Sequence, residues 1–338
     1  MKPSEAPPAD PAILEALRLR ARGEPAVSFA DFMDVALYDP AAGYYRRGGP
    51  RIGYGPGTDF LTATASAPLF GRLVAAACAR LLGPVAAASD FVEIGAERGA
   101  GVLLGADHPF KSARRVGIGE PMRIVGPTVV FSNELFDAQP FRRFRFRAGT
   151  WRELGVSIGG RVLSEVELAP GRPLPAQLPE SAQEGYVIDA PLAAAALARS
   201  IAEQPWSGLF LAFDYGKSWE EIAFSTPAGT ARAYRGHVQG NDLLDAPGRQ
   251  DLTCHVCWDW LADALRPLGF EDPRVEAQEA FFTLHSGELI AAVAAAEAGR
   301  MSREKLSLLQ LLHPANMGQR FQALWAVRPA APARRGPG

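Results

Sequence analysis

The chain has 338 residues, of which 48% are hydrophobic and 21% charged, and its formal net charge is −2 at pH 7. This length and balance are typical of globular protein with one large α/β domain or two domains, and they exclude disordered, fibrous and membrane-embedded classes. The small net charge argues against a nucleic-acid binder whose affinity comes from neutralising phosphates. No nucleic-acid partner is therefore expected.

The cysteine content and the amino terminus predict a cytoplasmic location. The three cysteines, Cys78, Cys254 and Cys257, are too few for a disulfide framework, which favours a reducing compartment. The amino terminus has acidic residues and prolines where a signal peptide needs an apolar core. No apolar run approaches the roughly 20 residues that span a bilayer. The pair Cys254 and Cys257 has metal-like spacing, but no second ligand pair is apparent, so no metal is predicted.

Two helices are predicted at the start of the chain. Residues 11–22 repeat apolar side chains on one helical face, and Asp10 precedes Pro11 in positions suited to a cap and a first turn. A second helix is predicted from Ser28, whose hydroxyl can cap it, to about residue 38. Residues 39–66 hold many glycines and prolines with aromatics between them, so we expect a functional loop rather than a plain linker.

The following segments alternate between strand and helix patterns. In chain order a helix, a strand, a helical turn and two strands are predicted at residues 67–82, 89–94, 100–104, 115–118 and 128–132. Residues 141–168 alternate apolar and polar side chains with glycine turns, which predicts a small antiparallel insertion. A helix, a strand, two helices and a strand then follow at 189–203, 207–213, 254–265, 302–312 and 321–327.

This order predicts an α/β fold built on a mostly parallel, doubly wound sheet. We predict N-terminal helices and an active-site loop in residues 1–66, followed by an α/β domain formed by 67–140 and 185–328. A β-rich insertion is predicted at 141–184, and a disordered tail at 329–338.

Ligands of such sheets bind beyond the carboxyl ends of the strands, so the turn after Glu93 is a candidate site. Gly95 and Gly99 let the backbone turn tightly and approach a ligand. Glu120 follows the next strand, near the spacing at which a carboxylate accepts hydrogen bonds from ribose hydroxyls. An ordinary strand-to-helix turn and a solvated turn carboxylate are the open alternatives.

Polar side chains also gather at the end of the strand at 128–132. Asn133 and Glu134 follow this strand directly, and Asp137 follows after two apolar residues, whereas a structural turn needs only one cap. His237 lies in a polar, glycine-rich loop and is a candidate substrate contact or base, with a solvated loop histidine as the alternative.

Motifs spread over most of the chain carry a family resemblance. They are LYDPAAGYY at 37–45, GTDFLTA at 57–63, EIGAERG at 93–99, NELFDAQP at 133–140, FDYG at 213–216, GTARAY at 229–234, PGRQDLTCHV at 247–256 and MGQRF at 317–321. With these motifs in this order, the chain resembles the MidA family of class I S-adenosylmethionine-dependent methyltransferases.

The resemblance implies a Rossmann-like methyltransferase sheet with helices on both faces, S-adenosylmethionine as cofactor and methylation of a protein side chain, arginine in the characterised case. It implies that the cofactor contacts are Asp59, Phe60, Thr62, Gly95, Gly99 and Glu120. Glu93 and Glu97 of the same turn are further candidates, because a carboxylate there can bind the ammonium group of the cofactor. It places Asn133, Glu134 and Asp137 where the acceptor nitrogen enters, and a carboxylate there can orient a guanidinium by two hydrogen bonds.

Three departures from the family pattern open a second hypothesis. Ala96 and Glu97 replace a proline and a glycine of the glycine turn, and residues 62–65 lack the hydroxyl and carboxylate expected there. The seven residues 121–127 are too few for a helical crossover between parallel strands, so the adenine side of the sheet is expected to be missing. The alternative is a degenerate methyltransferase fold that has lost its cofactor and serves as a protein-binding or assembly scaffold.

The same residues indicate which partners to expect and leave a third class of function open. The expected partner is a protein substrate or an assembly partner, with a homodimer as an open arrangement. A nicotinamide-dependent oxidoreductase also binds its cofactor at a glycine turn that follows a strand, but the G-x-G-x-x-G spacing of that class is absent here.

Overall fold

The computed structural model describes residues 10–47, 63–96, 101–160, 162–299 and 302–330. The helices are α1 (Pro11–Ala21), α2 (Phe29–Tyr38), α3 (Leu69–Leu82), α4 (Leu192–Ala202), α5 (Trp219–Phe224), α6 (Trp258–Leu265), α7 (Gln278–His285), α8 (Gly287–Ala296) and α9 (Arg303–Leu312). The first strands are β1 (Ala26–Ser28), β2 (Asp90–Ile94), β3 (Ser112–Val116), β4 (Gly126–Asn133), β5 (Arg142–Arg147), β6 (Thr150–Ser157), β7 (Ser164–Glu167) and β8 (Val187–Ala190). The others are β9 (Trp206–Asp214), β10 (Gly216–Lys217), β11 (Arg232–Arg235), β12 (Val238–Gly240), β13 (Asp251–Thr253), β14 (Val256–Cys257), β15 (Glu271–Ala277) and β16 (Gln322–Arg328).

The first two helices form as their cap residues predict. The Asp10 carboxylate accepts a hydrogen bond from the Ala12 N–H at 3.0 Å, and Pro11 occupies the first turn of α1. The Ser28 hydroxyl accepts the Asp31 N–H at 3.1 Å at the start of α2. The predicted helices at 11–22 and from 28 to about 38 are therefore confirmed.

The described chain forms two compact units. The first comprises residues 10–47, 136–160, 162–195 and 217–257. The second comprises 63–96, 101–135, 196–216, 258–299 and 302–330. The boundaries of these units differ from those of the predicted domains. The predicted domain division stays a prediction.

The first unit contains a sheet in the order β1-β6-β5-β8, with β7 also paired to β6, and a three-stranded sheet in the order β12-β11-β13. Strands β5, β6 and β7 pair antiparallel, as the alternation at 141–168 predicts. The same sheet also recruits β1 and β8 from outside that segment. Aromatic side chains fill its core, where Phe29 stacks on Phe141 with ring centroids 5.5 Å apart.

The second unit contains a six-stranded sheet in the order β15-β16-β9-β4-β2-β3. Strands β3, β2, β4 and β9 run parallel, whereas β16 and β15 are antiparallel to their neighbours. Alternate residues of β9 face opposite sides of the sheet, and both sets are buried, which explains the continuous apolar run that predicted this strand. The predicted α/β fold on a mostly parallel sheet is therefore confirmed.

Helices cover the faces of this sheet. Helices α3, α7 and α9 share one core with the strands, in which Phe213 stacks on Phe282 at 5.1 Å between ring centroids. Helix α6 packs against β15 and β16. The stretch Leu69–Ala88, which includes α3, is long and apolar enough by length and composition to cross a bilayer. Half of its apolar window is buried inside the unit, as in a core helix, so this stretch is weak evidence for a membrane span.

Strand β3 forms one edge of the six-stranded sheet. The described parts of the connections before and after it along the chain contain no helix. The connection at 117–125 contains no helix, which agrees with the short crossover expected from the sequence. The described part of the helical turn predicted at 100–104 forms hydrogen-bonded turns at 102–105, in which the Leu104 N–H donates to the Gly101 carbonyl at 3.0 Å. The Val102 N–H donates to the Glu93 carboxylate at 2.8 Å, which ties this turn to the end of β2.

Two predicted helices begin later than expected. Residues 187–190 form β8 on the edge of β5, so the helix predicted at 189–203 starts only at Leu192, after Pro191. The helix predicted at 254–265 starts at Trp258, because Val256 and Cys257 form β14. In both segments pairing with a distant strand overrides local helix propensity, which a single sequence does not reveal.

Candidate functional site

The carboxyl ends of the parallel strands in the second unit bring polar side chains to one edge of the sheet. Glu93 lies near the end of β2, Glu120 follows β3, and Asn133 ends β4 with Glu134 directly after it. Asp214 ends β9 and is fully buried. We call Glu93, Glu120, Asn133, Glu134 and Asp214 the rim cluster. Ligands of parallel sheets bind at such an edge.

Glu93 is a buried carboxylate with only 6% of its surface exposed. Its Oε2 accepts the Val102 N–H at 2.8 Å, and the strand register places it beside Arg115 of β3. Burial raises the pKa of Glu93 to about 7, although the Val102 hydrogen bond and the Arg115 charge act in the opposite direction. This side chain therefore changes its charge near neutral pH.

Gly95 makes the turn after β2 with a positive φ of +82°. A Cβ at this position would lie 2.8 Å from Leu135 Cδ1, so the turn after β2 packs against the turn after β4. The tight turn predicted at Gly95 is therefore confirmed, and the contact of Gly95 with a ligand stays a prediction. The predicted contacts Glu97 and Gly99 of the same turn, and Asp59, Phe60 and Thr62, lie outside the described residues.

Glu120 closes the turn after β3 by a local hydrogen bond. Its Oε2 accepts the Gly117 N–H at 2.8 Å, and the side chain is exposed. This contact matches the alternative interpretation of a turn carboxylate. The other carboxylate oxygen can still accept a hydrogen bond from a ligand, so the ribose contact stays a prediction.

Asn133 and Glu134 form a strained polar pair at the end of β4. Asn133 Nδ2 donates to Glu134 Oε1 at 3.0 Å, and the Glu134 N–H donates to the Phe213 carbonyl at 2.9 Å. Glu134 has a φ of +51°, which is uncommon for a residue with a side chain and is concentrated at functional sites. Asn133 Oδ1 is buried and has no hydrogen-bond partner among the described residues, and such an acceptor in a native protein calls for an explanation.

Asp137 belongs to a second cluster, which lies in the first unit. Its side chain is 3% exposed, and its carbonyl accepts the Cys254 N–H at 2.9 Å. The next carbonyl, that of Ala138, accepts the Tyr38 hydroxyl at 2.8 Å. Tyr38 stacks on Tyr45 with ring centroids 5.5 Å apart.

Tyr45 extends this cluster to a second buried carboxylate. Its hydroxyl donates to Asp251 Oδ1 at 2.9 Å, and Asp251 is 4% exposed. We call Tyr38, Tyr45, Asp137 and Asp251 the tyrosine–aspartate cluster.

Burial raises the pKa of both tyrosines well above the usual value, and the charges of Asp251 and Asp137 act in the same direction. Tyr38 and Tyr45 therefore remain neutral hydrogen-bond donors over the physiological pH range. Sequence reasoning did not single out Tyr38, Tyr45 or Asp251. The signal was present, because Tyr38 and Tyr45 belong to the LYDPAAGYY motif and Asp251 to the PGRQDLTCHV motif.

His237 is exposed in the first unit, at the two-residue turn between β11 and β12. Gly236 and His237 have φ values of +56° and +65°, which this hairpin turn requires at both central positions. The turn geometry accounts for the position of His237, and its role as a base stays a prediction. Across the described ranges no three His, Cys, Asp or Glu side chains are arranged to hold a metal ion.

Known proteins share both the sequence pattern and the fold of this chain. Residues 117–271 match a family described as "Putative S-adenosyl-L-methionine-dependent methyltransferase". The mitochondrial protein arginine methyltransferase NDUFAF7 of Danio rerio is 25% identical over 296 residues, which cover 70% of this chain and 67% of the relative.

Two crystal structures from Burkholderia thailandensis match nearly the whole chain. The first, a COG1565 superfamily member bound to S-adenosyl-homocysteine, is 25% identical with a TM-score of 0.78, and the match covers 96% of this chain and 95% of that protein. A native structure from the same superfamily is 24% identical with a TM-score of 0.73 and the same coverage. These matches confirm the predicted class I methyltransferase fold and, with the rim cluster of the sheet, support a MidA-like family of S-adenosylmethionine-dependent methyltransferases for this chain.

Proposed function

We propose that this protein transfers the methyl group of S-adenosylmethionine to a nitrogen of a protein side chain, with arginine as the acceptor. The observation that carries the proposal is the buried Asn133 Oδ1 beside the Glu134 carboxylate at the end of β4, for which the described part of the chain supplies no hydrogen-bond donor. A buried acceptor next to a carboxylate is complementary to the N–H groups of a cationic side chain.

The described residues at the strand ends fit the cofactor. Gly95 allows the backbone to approach a ligand, and Glu93 offers a buried carboxylate to a cationic group. Glu120 retains an oxygen that can accept from a ribose hydroxyl. S-adenosylmethionine supplies an electrophilic methyl group on a sulfonium. The protein then has to bind, orient and desolvate the acceptor nitrogen, and it needs no covalent nucleophile of its own.

The Asn133 and Glu134 pair can orient a guanidinium. A carboxylate holds this planar group by two parallel hydrogen bonds, while an amide oxygen accepts a third N–H. This arrangement orients the acceptor nitrogen, and the Glu134 carboxylate can accept the proton that the nitrogen loses when it gains the methyl group. The proposed arginine specificity is further supported by the printed name of the Danio rerio relative, although that protein is only 25% identical.

Cofactor binding and methyl transfer test the proposal separately. Calorimetry with S-adenosylhomocysteine should show saturable binding, and its absence at millimolar ligand would refute the proposal. Radiolabelled S-adenosylmethionine, incubated with a cell extract from which the protein has been deleted, should label a protein acceptor on arginine.

The variant Glu134→Gln should lose labelling while it still binds S-adenosylhomocysteine, because the acceptor and not the cofactor contacts this carboxylate. Glu203→Gln is the matched control, since Glu203 is exposed just after α4. Equal labelling by wild-type protein and Glu134→Gln would contradict the role of Glu134.

The scaffold hypothesis is favoured by a different observation. Glu93 and Glu120 already bind backbone N–H groups of their own chain, and the described connections at 101–111 and 117–125 contain no helix. A scaffold predicts a partner that co-purifies with the protein and carries no methyl group. Labelling that Glu134→Gln abolishes would exclude this alternative.

We further propose a cytoplasmic location, which is supported by the small number of cysteines, three in 338 residues. Fractionation of cells that express the tagged full chain tests this. A homodimer stays a prediction, and sedimentation of the purified chain decides it.

A further inference from the structure

The outer edge of the six-stranded sheet has an unusual composition. Strand β3 pairs on one side with β2, and no strand lies beyond it within the described residues. Its residues Ser112 to Arg115 are exposed and only Val116 is buried. The backbone at a sheet edge is a template on which another extended chain can add a strand.

The side chains around this edge carry an excess of positive charge. Lys111, Arg114 and Arg123 are exposed, and no acidic side chain forms a salt bridge with them among the described residues. Two nearby carboxylates accept hydrogen bonds from uncharged groups and not from these cations. Asp90 accepts the Ser112 hydroxyl at 2.7 Å, and Glu120 accepts the Gly117 N–H at 2.8 Å.

An exposed apolar side chain follows the same edge. Ile118 lies just after β3 and is 39% exposed. The Arg114 guanidinium donates to the Arg123 carbonyl, so Arg123 of the next connection lies near the strand. An edge that charges protect only against aggregation has no need of an exposed apolar neighbour.

We propose that the outer edge of β3 binds an extended acidic segment of a partner protein by strand addition. Backbone hydrogen bonds to β3 supply the pairing, and acidic side chains of the segment meet Lys111, Arg114 and Arg123. An apolar residue of the segment covers Ile118. A second copy of this chain fits less well, because it brings the same cations to the seam. This inference goes beyond the proposed methyl transfer and does not depend on it.

Fluorescence anisotropy of a labelled ten-residue peptide, in which glutamate alternates with valine and threonine, tests the proposal on the full chain without cofactor. We expect saturable binding that weakens as salt concentration rises. A peptide of the same charge with proline at alternate positions, and a peptide with lysine in place of glutamate, should each bind at least about tenfold more weakly. Absence of saturable binding up to millimolar peptide, or equal binding of the proline peptide, would overturn strand addition.

The variant Arg114→Glu places a like charge at the centre of the edge and should weaken peptide binding about tenfold. Arg18→Glu is the matched control, since Arg18 is exposed on α1 in the first unit. Should Arg114→Glu melt below the wild-type temperature, hydrogen exchange of the wild-type chain decides the question. The acidic peptide should then slow exchange at residues 112–116, and unchanged exchange there would overturn the proposal.

Discussion

Replacing Glu93 by glutamine should stabilise the protein above neutral pH while it weakens the proposed cofactor binding. Glu93 is 6% exposed and its Oε2 accepts the Val102 N–H. Glutamine has nearly the same shape, and its amide oxygen can accept the same hydrogen bond without carrying a charge. The substitution therefore removes the cost of a buried charge and little else.

The sign and size of the effect follow from the pKa of the carboxyl. Burial raises this pKa from 4.5 to about 7, so the folded protein binds the proton more tightly than the unfolded chain. The free energy of unfolding therefore falls as pH rises between 4.5 and about 7. At ~1.4 kcal/mol per pH unit the loss amounts to about 3 kcal/mol at pH 8, and it vanishes near pH 4.

Urea denaturation followed by tryptophan fluorescence at several pH values measures this difference. Glu93→Gln should exceed wild type by about 3 kcal/mol at pH 8 and should approach it near pH 4 to 5. The exposed-site variant Glu203→Gln should show no such pH dependence. A difference between Glu93→Gln and wild type that stays constant over this pH range would refute the reasoning.

The second half of the prediction concerns the affinity for S-adenosylhomocysteine, which depends on the same carboxylate. Ionised Glu93 is the form that attracts a cationic ligand group, so wild-type affinity for S-adenosylhomocysteine should rise between pH 6 and pH 8. Glu93→Gln should bind more weakly at pH 8 and should lose this pH dependence. Opposite effects on stability and binding would mark Glu93 as a functional residue retained at a cost in stability.

Three further substitutions, measured by urea denaturation, test buried contacts inside each of the two units. Tyr45→Phe removes the donor to the Asp251 carboxylate and should cost about 1.5 to 3 kcal/mol, whereas Tyr234→Phe on an exposed hairpin should change little. Asp189→Ala removes a fully buried carboxylate that binds Arg143 at 2.7 Å and should cost about 3 to 5 kcal/mol, against less than about 1 kcal/mol for Glu167→Gln in an exposed pair. Phe213→Ala opens a cavity beside Phe282 and should cost about 3 to 5 kcal/mol, while Phe224→Ala, at a site 65% exposed, should be nearly neutral. Equal losses within any of these pairs would contradict the burial described here.

The candidate site was only partly accessible from the sequence. Gly95, Asn133 and Glu134 could be named because each directly follows an apolar strand, and the ends of parallel strands meet at one edge. The tyrosine–aspartate cluster could not be assembled in this way. Tyr45 and Asp251 are separated by 206 positions, and no local pattern reports that a tyrosine hydroxyl donates to so distant a carboxylate.

The sequence by itself determined the elements that local chemistry specifies. The caps at Asp10 and Ser28 set the starts of α1 and α2, and the apolar run at residues 207–213 predicted the buried strand β9. Only the tertiary structure decided that residues 187–190 pair with β5 instead of starting a helix, and that the Val102 N–H donates to the Glu93 carboxylate. Such choices depend on which distant groups compete for a backbone hydrogen bond, and that competition exists only once the chain has folded.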